Sequence, residues 1–264
     1  MRGTFAPCAV AAISLLALLA GCTPEPTEPA PPPPPPPPAF LRWSDGATWP
    51  GGVVPGAGAA VLIPAGKTLL LDVSPPGLGG VTVDGTLRFD RKDLSLTAAW
   101  IMVHGRFEVG TEAEPFAQRA VITLTGPSTD NIEGVGAKVF GALGGTIELH
   151  GQPRLVWARL AATASAGSTQ LQMERAMDWR PGDRIVLAST DLDPTQAEEA
   201  LVASVSGNSV MLQAALRFNH WGVTQTFAGK SLDERAEVGL LTRNVVLQGD
   251  EASLVSQFGG HLII

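Results

Sequence analysis

The chain has 264 residues and a formal net charge of −7, with both signs interspersed and no basic run, which argues against a nucleic-acid partner. Its two cysteines, Cys8 and Cys22, both lie near the N-terminus, so the rest of the chain has neither a disulfide nor thiol chemistry. Stability must then come from a hydrophobic core, and the length allows one elongated domain or two small ones.

Arg2 precedes an apolar run from Cys8 to Leu19, the pattern of a signal peptide over residues 1–21. The run is short of the ~20 apolar residues that a membrane-spanning helix needs. Leu19-Ala20-Gly21-Cys22 resembles a bacterial lipobox, which implies a lipid on Cys22. Thr23 in the next position then points to the outer membrane or cell surface. Residues 22–39 form a proline-rich linker whose polyproline II rise of about 3.1 Å per residue gives a reach on the order of 50 Å.

From Phe40 onward an apolar-x-apolar-x-Gly pattern recurs, at Val81–Gly85, Ile101–Gly105, Ile122–Gly126, Ile147–Gly151 and Val245–Gly249. Alternation predicts half-buried strands, and the glycine after each predicts either a positive φ or a close backbone approach. Nearly even spacing of the first repeats predicts an all-β fold, a right-handed β-helix or solenoid-like stack. An antiparallel sandwich with similarly spaced turns is the alternative. Val83, Val103 and Leu124 are expected inside, with Thr82 and Met102 on the opposite face.

Between Leu171 and Leu216 the pattern changes to strand, turn, strand, which predicts a small inserted β-module over 166–229. Pro181-Gly182-Asp183 reads as a turn feeding a strand, and Ser206-Gly207-Asn208 as a hairpin. Arg184 and Glu198 are expected to pair across this module.

The blocks "WSDGATWPGG", "VLIPAGKTLLLDVS", "VTVDGTLRF", "FEVGTEAEPF" and "GGTIELHGQPRLVWARLAATA" resemble, in order and spacing, the G8 domain, an extracellular all-β module. The resemblance spans 43–165 and places a G8 domain over 40–165. Residues 230–264, with "SLDERAEVGLLTRNVVLQGDE" and "GGHLII", resemble the start of the parallel β-helix that follows this module in larger relatives. Ile264 ends the chain on an apolar strand without a cap, so the β-helix is expected to be truncated. Those relatives include animal hyaluronan-binding and hyaluronan-depolymerising cell-surface proteins. By resemblance, the chain is a lipid-anchored envelope or cell-surface protein that binds a glycosaminoglycan-like polysaccharide.

Three function classes follow: a glycan-binding module, a polysaccharide-degrading glycosidase or lyase needing the later coils, and a structural or adhesion protein of the envelope. Trp43 and Trp49 have two readings, a plug sealing the first coil or an aromatic platform for a sugar ring, with Trp49 expected to be the more buried. Cleavage needs paired carboxylates, or a base with a cation to neutralise a uronate. The candidates are Asp233 or Glu234 as acid or base and Arg235 or Arg243 as the clamp, with Glu237 and Asp250 nearby in sequence. His104, His150, His220 and His261 are too scattered for a metal motif; His104 and His150 precede rung glycines and are expected to be exposed, while His261, which follows Gly259-Gly260 beside the expected β-helix start, joins the catalytic candidates. No cofactor is expected. Asp45 and Asp72 leave calcium open, although no calcium-loop pattern surrounds them.

Overall fold

Alternating apolar side chains need a closed interior, and parallel strands supply it by stacking like residues from one turn of the chain to the next. A computed structural model describes residues 40–264. The signal peptide over 1–21, Cys22 and the linker to residue 39 lie outside the described residues. The fold is all-β, with a single α-helix of 6 residues at Glu251–Ser256 among the described residues. No helix of the described residues is long and apolar enough to cross a membrane.

Three sheets are wholly parallel. The first contains Ala60–Ile63, Gly80–Val83, Ile101–Val103, Val139–Ala142 and His261–Ile263. A second contains Leu41–Arg42, Thr68–Leu71, Thr86–Phe89, Arg106–Val109 and Thr146–Leu149. The third contains Leu94–Ala98, Ala120–Leu124 and Val245–Gly249. The chain visits them in rotation, so each strand pairs with one from the preceding round. Their inner faces build one core: Val61, Val81 and Ile101 are in register, as are Leu69, Leu87 and Phe107, and Leu96 and Ile122.

Rung glycines work by close approach. A Cβ on Gly105 would overlap the carbonyl oxygens of Gly85 and Asp84, and one on Gly85 those of Pro64 and Lys67. Neither glycine has a positive φ. Successive rounds therefore touch backbone to backbone at this corner, where no side chain fits. The repeated motif does not mark a single face: Val81 and Ile101 lie in the first sheet, Ile147 in the second, and Ile122 and Val245 in the third.

Val83, Val103 and Leu124 are each 0% exposed, as the alternation requires. Met102 corrects the expected register contrast. It points outward yet is also 0% exposed, lying against Gly141, where an added Cβ would come within 3.0 Å of its sulfur. Val103→Ala is expected to cost about 1–3 kcal/mol through lost burial and a residual cavity. Thr82→Ala, at a half-buried outward position, should cost clearly less in urea denaturation. Equal losses at the two would contradict the stacking.

Between the second and third sheets of one round, a six-stranded antiparallel sheet intervenes. Its order is Trp157–Arg159, Glu237–Leu240, Arg184–Leu187, Glu198–Ser206, Ser209–Leu212 and Gln170–Gln172. It closes over its own core, which includes Leu160, Leu171, Trp179, Ile185, Val202 and Val238. Gly207, at a φ of 59°, starts the two-residue turn between Ser206 and Ser209. Arg184 does not pair with Glu198. Its Nε lies 3.1 Å from Glu199 Oε2, and Glu198 points to the buried side of the strand instead.

Candidate functional site

The first polar construction on the molecule is the seam where the antiparallel module leaves and rejoins the parallel sheets. The Asn244 side chain holds it together. Its Nδ2 donates to the carbonyls of Phe116 at 2.6 Å and Gln118 at 2.7 Å, and its Oδ1 accepts the Gln152 N–H at 3.0 Å. Departure at Gln152 and return at Asn244 are thus tied to the same stretch of the stack. On the module side, Arg154 Nη2 meets the buried Asp183 carboxylate at 2.6 Å, and the same oxygen accepts the Arg180 N–H at 2.7 Å. Asp183 closes the Pro181-Gly182 turn, where Gly182 has a φ of 87°. On the other wall, Asp93 accepts the Arg119 N–H at 2.8 Å. These contacts enclose a cleft of about 430 Å³. Four arginines and two aspartates line it, an excess of two positive charges.

Trp43 and Trp49 are core residues. Trp43 is 0% exposed and Trp49 9%, so their expected order of burial is reversed. Their rings meet edge to face at 4.9 Å, and Trp49 Nε1 donates to the Trp43 carbonyl at 2.8 Å. Gly51 and Gly52, both at a φ of 73°, let the chain fold back around the indoles. Asp72 is buried beneath this turn. Burial pushes its carboxyl up, but bonds from the Ser44 hydroxyl and N–H, with Arg42 beside them, hold it below its usual value. Asp45 caps the adjacent turn through the Ala47 N–H at 2.9 Å.

Of the acidic–basic run near residue 233, Asp233, Glu234, Arg235 and Glu237 line one surface cleft with Arg159, while Arg243 and Asp250 lie elsewhere. Asp233 and Arg235 form a two-point pair, Nε–Oδ1 and Nη2–Oδ2 both at 2.9 Å. Arg235, with smaller help from Arg159, pulls Asp233 down to about 2. A general acid needs a raised carboxyl. Asp233 therefore has no proton to donate near neutral pH, and the Arg235 fork is already filled. Glu234 Oε2 accepts from Gln225 at 2.9 Å, and Glu237 lies 3.2 Å from Arg159. Arg243 is not with them; it lines the seam cleft. Asp250 binds the buried Lys138 Nζ at 2.8 Å, and that ammonium holds its carboxyl down.

The four histidines have four separate settings. His104 is bracketed by Asp84 at 2.8 Å and Glu133 at 3.0 Å, and those bonds raise its pKa. His150 is half-buried, and His261 Nε2 lies 3.1 Å from the Val135 carbonyl. His220 is 0% exposed, between the Ala188 carbonyl at 2.9 Å and Glu198 at 3.0 Å. Among the described residues no group of three or more His, Cys, Asp or Glu side chains could hold a metal ion.

Sequence reasoning passed over two other tryptophans. Trp157 and Trp221, both on the antiparallel module, are 43% and 39% exposed. Arg159 lies over the Trp157 ring at 5.5 Å. Trp157 occupies the outward side of an edge strand, with Ala158 buried beside it, and that alternation was visible in "VWARL".

The G8 domain family profile matches residues 48–161. Fibrocystin-L of Mus musculus is 41% identical over 219 residues, covering 79% of this chain and 5% of its own length. Fibrocystin of Canis lupus familiaris is 35% identical over 230 residues, covering 80% of this chain and 6% of its own. A G8 domain-containing protein of Dictyostelium discoideum is 31% identical over 244 residues, covering 85% and 21%. The chain thus spans about one twentieth of the fibrocystins, and each match extends past residues 48–161 in length.

Proposed function

The chain is a G8 domain protein, and on that premise we propose that it is an exported, lipid-anchored envelope or cell-surface protein whose task is to bind an extracellular polysaccharide. The observation that carries this reading is the pair of exposed indoles, Trp157 and Trp221. An indole face covers the apolar face of a pyranose, and on Trp157, where Arg159 lies over one side of the ring, the other side would take the sugar. The signal-peptide pattern, the lipobox at Cys22 and the stiff linker support export and display at a distance from a membrane. We read the three parallel sheets as a right-handed parallel β-helix. Parallel strands joined by a crossover in one sheet are right-handed in about 98% of cases. The domain scheme is 1–21 signal peptide, 22–39 linker, 40–165 G8 domain, a module expected over 166–229 and the start of a parallel β-helix over 230–264; the module's antiparallel sheet reaches past its expected bounds on both sides, to Trp157–Arg159 and Glu237–Leu240.

Glycan arrays and titration followed by tryptophan fluorescence test the reading. Trp157→Ala and Trp221→Ala are expected to melt like the parent, and at least one should weaken oligosaccharide binding about tenfold, or about 1.4 kcal/mol. In cells, Cys22→Ser should lose membrane partition or accumulate as precursor. A chain that retains no glycan on any array overturns the binding function.

A further inference from the structure

Arginines on this surface are almost all spoken for. Arg42, Arg88, Arg91, Arg106, Arg154 and Arg159 each have a carboxylate partner, and so do Arg175, Arg184, Arg217 and Arg235. Among the described residues three arginines form no salt bridge: Arg119, Arg180 and Arg243. All three line the same seam cleft of about 430 Å³.

They come to it from three separate parts of the chain. Arg119 precedes a strand of the third parallel sheet, Arg180 opens the Pro181-Gly182 turn of the module, and Arg243 sits at the module's return. The cleft's own acids leave those guanidiniums without a carboxylate partner, and Arg243 Nη1 donates to the carbonyl of its neighbour Thr242 at 3.1 Å. Asp183 is bound to Arg154, and Asp93 accepts the Arg119 backbone N–H. One buried donor in the same wall, Arg154 Nε, has no hydrogen-bond partner among the described residues, its nearest carboxylate oxygen being Asp178 Oδ1 at 3.7 Å. Three guanidiniums without carboxylate partners around one cleft repel one another as like charges. An anion relieves that repulsion, and the planar fork of arginine matches a carboxylate or a sulfate oxygen pair.

We propose that the seam cleft is an anion-binding site, in which Arg119, Arg180 and Arg243 hold a carboxylate or sulfate group of an acidic polysaccharide. The inference rests on the polysaccharide reading and adds to it a site and a charge requirement. The site exists only where the module rejoins the stack, so neither part binds the anion alone. Arg119 and Arg180 are exposed and Arg243 is half-buried, so binding should weaken as salt rises.

The test measures binding of the full chain to polygalacturonate, heparin and dextran by isothermal titration at two salt concentrations. Expected results are binding of at least one acidic polymer, none or far weaker binding of dextran, and a loss of affinity on adding salt. Preference for polygalacturonate assigns a carboxylate, and preference for heparin a sulfate. Arg119→Gln, Arg180→Gln and Arg243→Gln should each lose about tenfold, which is about 1.4 kcal/mol. None breaks a salt bridge, so their melting curves should stay close to the parent's. Arg175→Gln, on a guanidinium already paired with Glu174, should bind as the parent does. Dextran binding as tightly as the acidic polymers would overturn the anion site while leaving the glycan function standing. Binding of neither acidic polymer would overturn the anion site, and the glycan arrays then decide separately whether the glycan function stands. Equal losses in Arg175→Gln and in the cleft variants would mean diffuse attraction and would overturn the assignment to the cleft.

Discussion

Trp43→Ala should destabilise the domain by about 3–5 kcal/mol, the range for truncating a buried aromatic side chain. Trp43 is fully buried and belongs to the same core cluster as Val61, Leu69 and Leu87. Just before it, Leu41 and Arg42 pair with Leu69 and Leu70, and the Trp43 N–H donates to the Leu70 carbonyl at 2.9 Å. The indole therefore lies where the first strand of the second sheet needs cover. Truncation would also strip Trp49 of its edge-to-face partner. Trp49→Ala falls in the same range but at the lower end, because Trp49 keeps 9% of its surface exposed. Trp43→Phe is the discriminating control. Trp43 Nε1 is buried without a hydrogen-bond partner among the described residues, so phenylalanine removes an unsatisfied donor as well as some volume. Its cost should be well below that of alanine. Urea midpoints at constant m-value measure all three. An alanine variant as stable as the parent would mean that these indoles do not seal the stack, and would reopen the turn at 43–52 as a sugar platform.

How far the sequence could carry the fold depends on what is local. Alternation around Val83, Val103 and Leu124 told inside from outside, because the side-chain period of a strand is set by its own backbone. It could not show which strands share a sheet. The Val81 and Ile122 motifs look alike but lie in different sheets, and only the corner glycines, pressed on neighbouring carbonyls, belong to the stacking itself. Met102 was misplaced because burial of an outer face depends on a glycine at 141, almost forty positions on. The candidate sites show the same limit. Asp233 and Arg235 stay together because they are neighbours in sequence. Arg243 parts from them because the chain turns back onto the stack at Asn244. Arg119 and Arg180 carried no signal of their own, and their meaning comes from a seam that exists only in three dimensions.

Glu198→Ala should cost roughly 3–5 kcal/mol, because each buried donor left without its acceptor costs about 1–3 kcal/mol. This residue was expected to face Arg184. In the sheet, Arg184 is in register with Leu201 and Leu187 with Glu198, so the strand turns Glu199 out to Arg184 and Glu198 inward. A shift of one residue moves a side chain to the other face, and "EE" in sequence offers no means of choosing between them. Inside, Glu198 collects the chain at 217–220. Its oxygens accept the N–H groups of Arg217 at 2.9 Å and Phe218 at 3.0 Å, and His220 Nε2 lies 3.0 Å away. Removing the carboxylate would leave two N–H groups and a fully buried imidazole without their acceptor. Burial alone would raise the Glu198 carboxyl, but the Arg217 N–H, His220 and the Phe218 N–H together bring it below its ordinary value of 4.5. A carboxyl lower in the folded than in the unfolded state contributes stability that is complete above the unfolded value and lost as pH falls through the folded one. The parent should therefore lose part of its stability on acidification below about pH 4.5. Glu198→Gln, with no carboxyl to titrate, should start lower at pH 7 and fall less steeply through that window. Urea unfolding of both proteins from pH 3 to pH 7 makes the comparison, and parallel curves would show that Glu198 does not hold this loop through its charge.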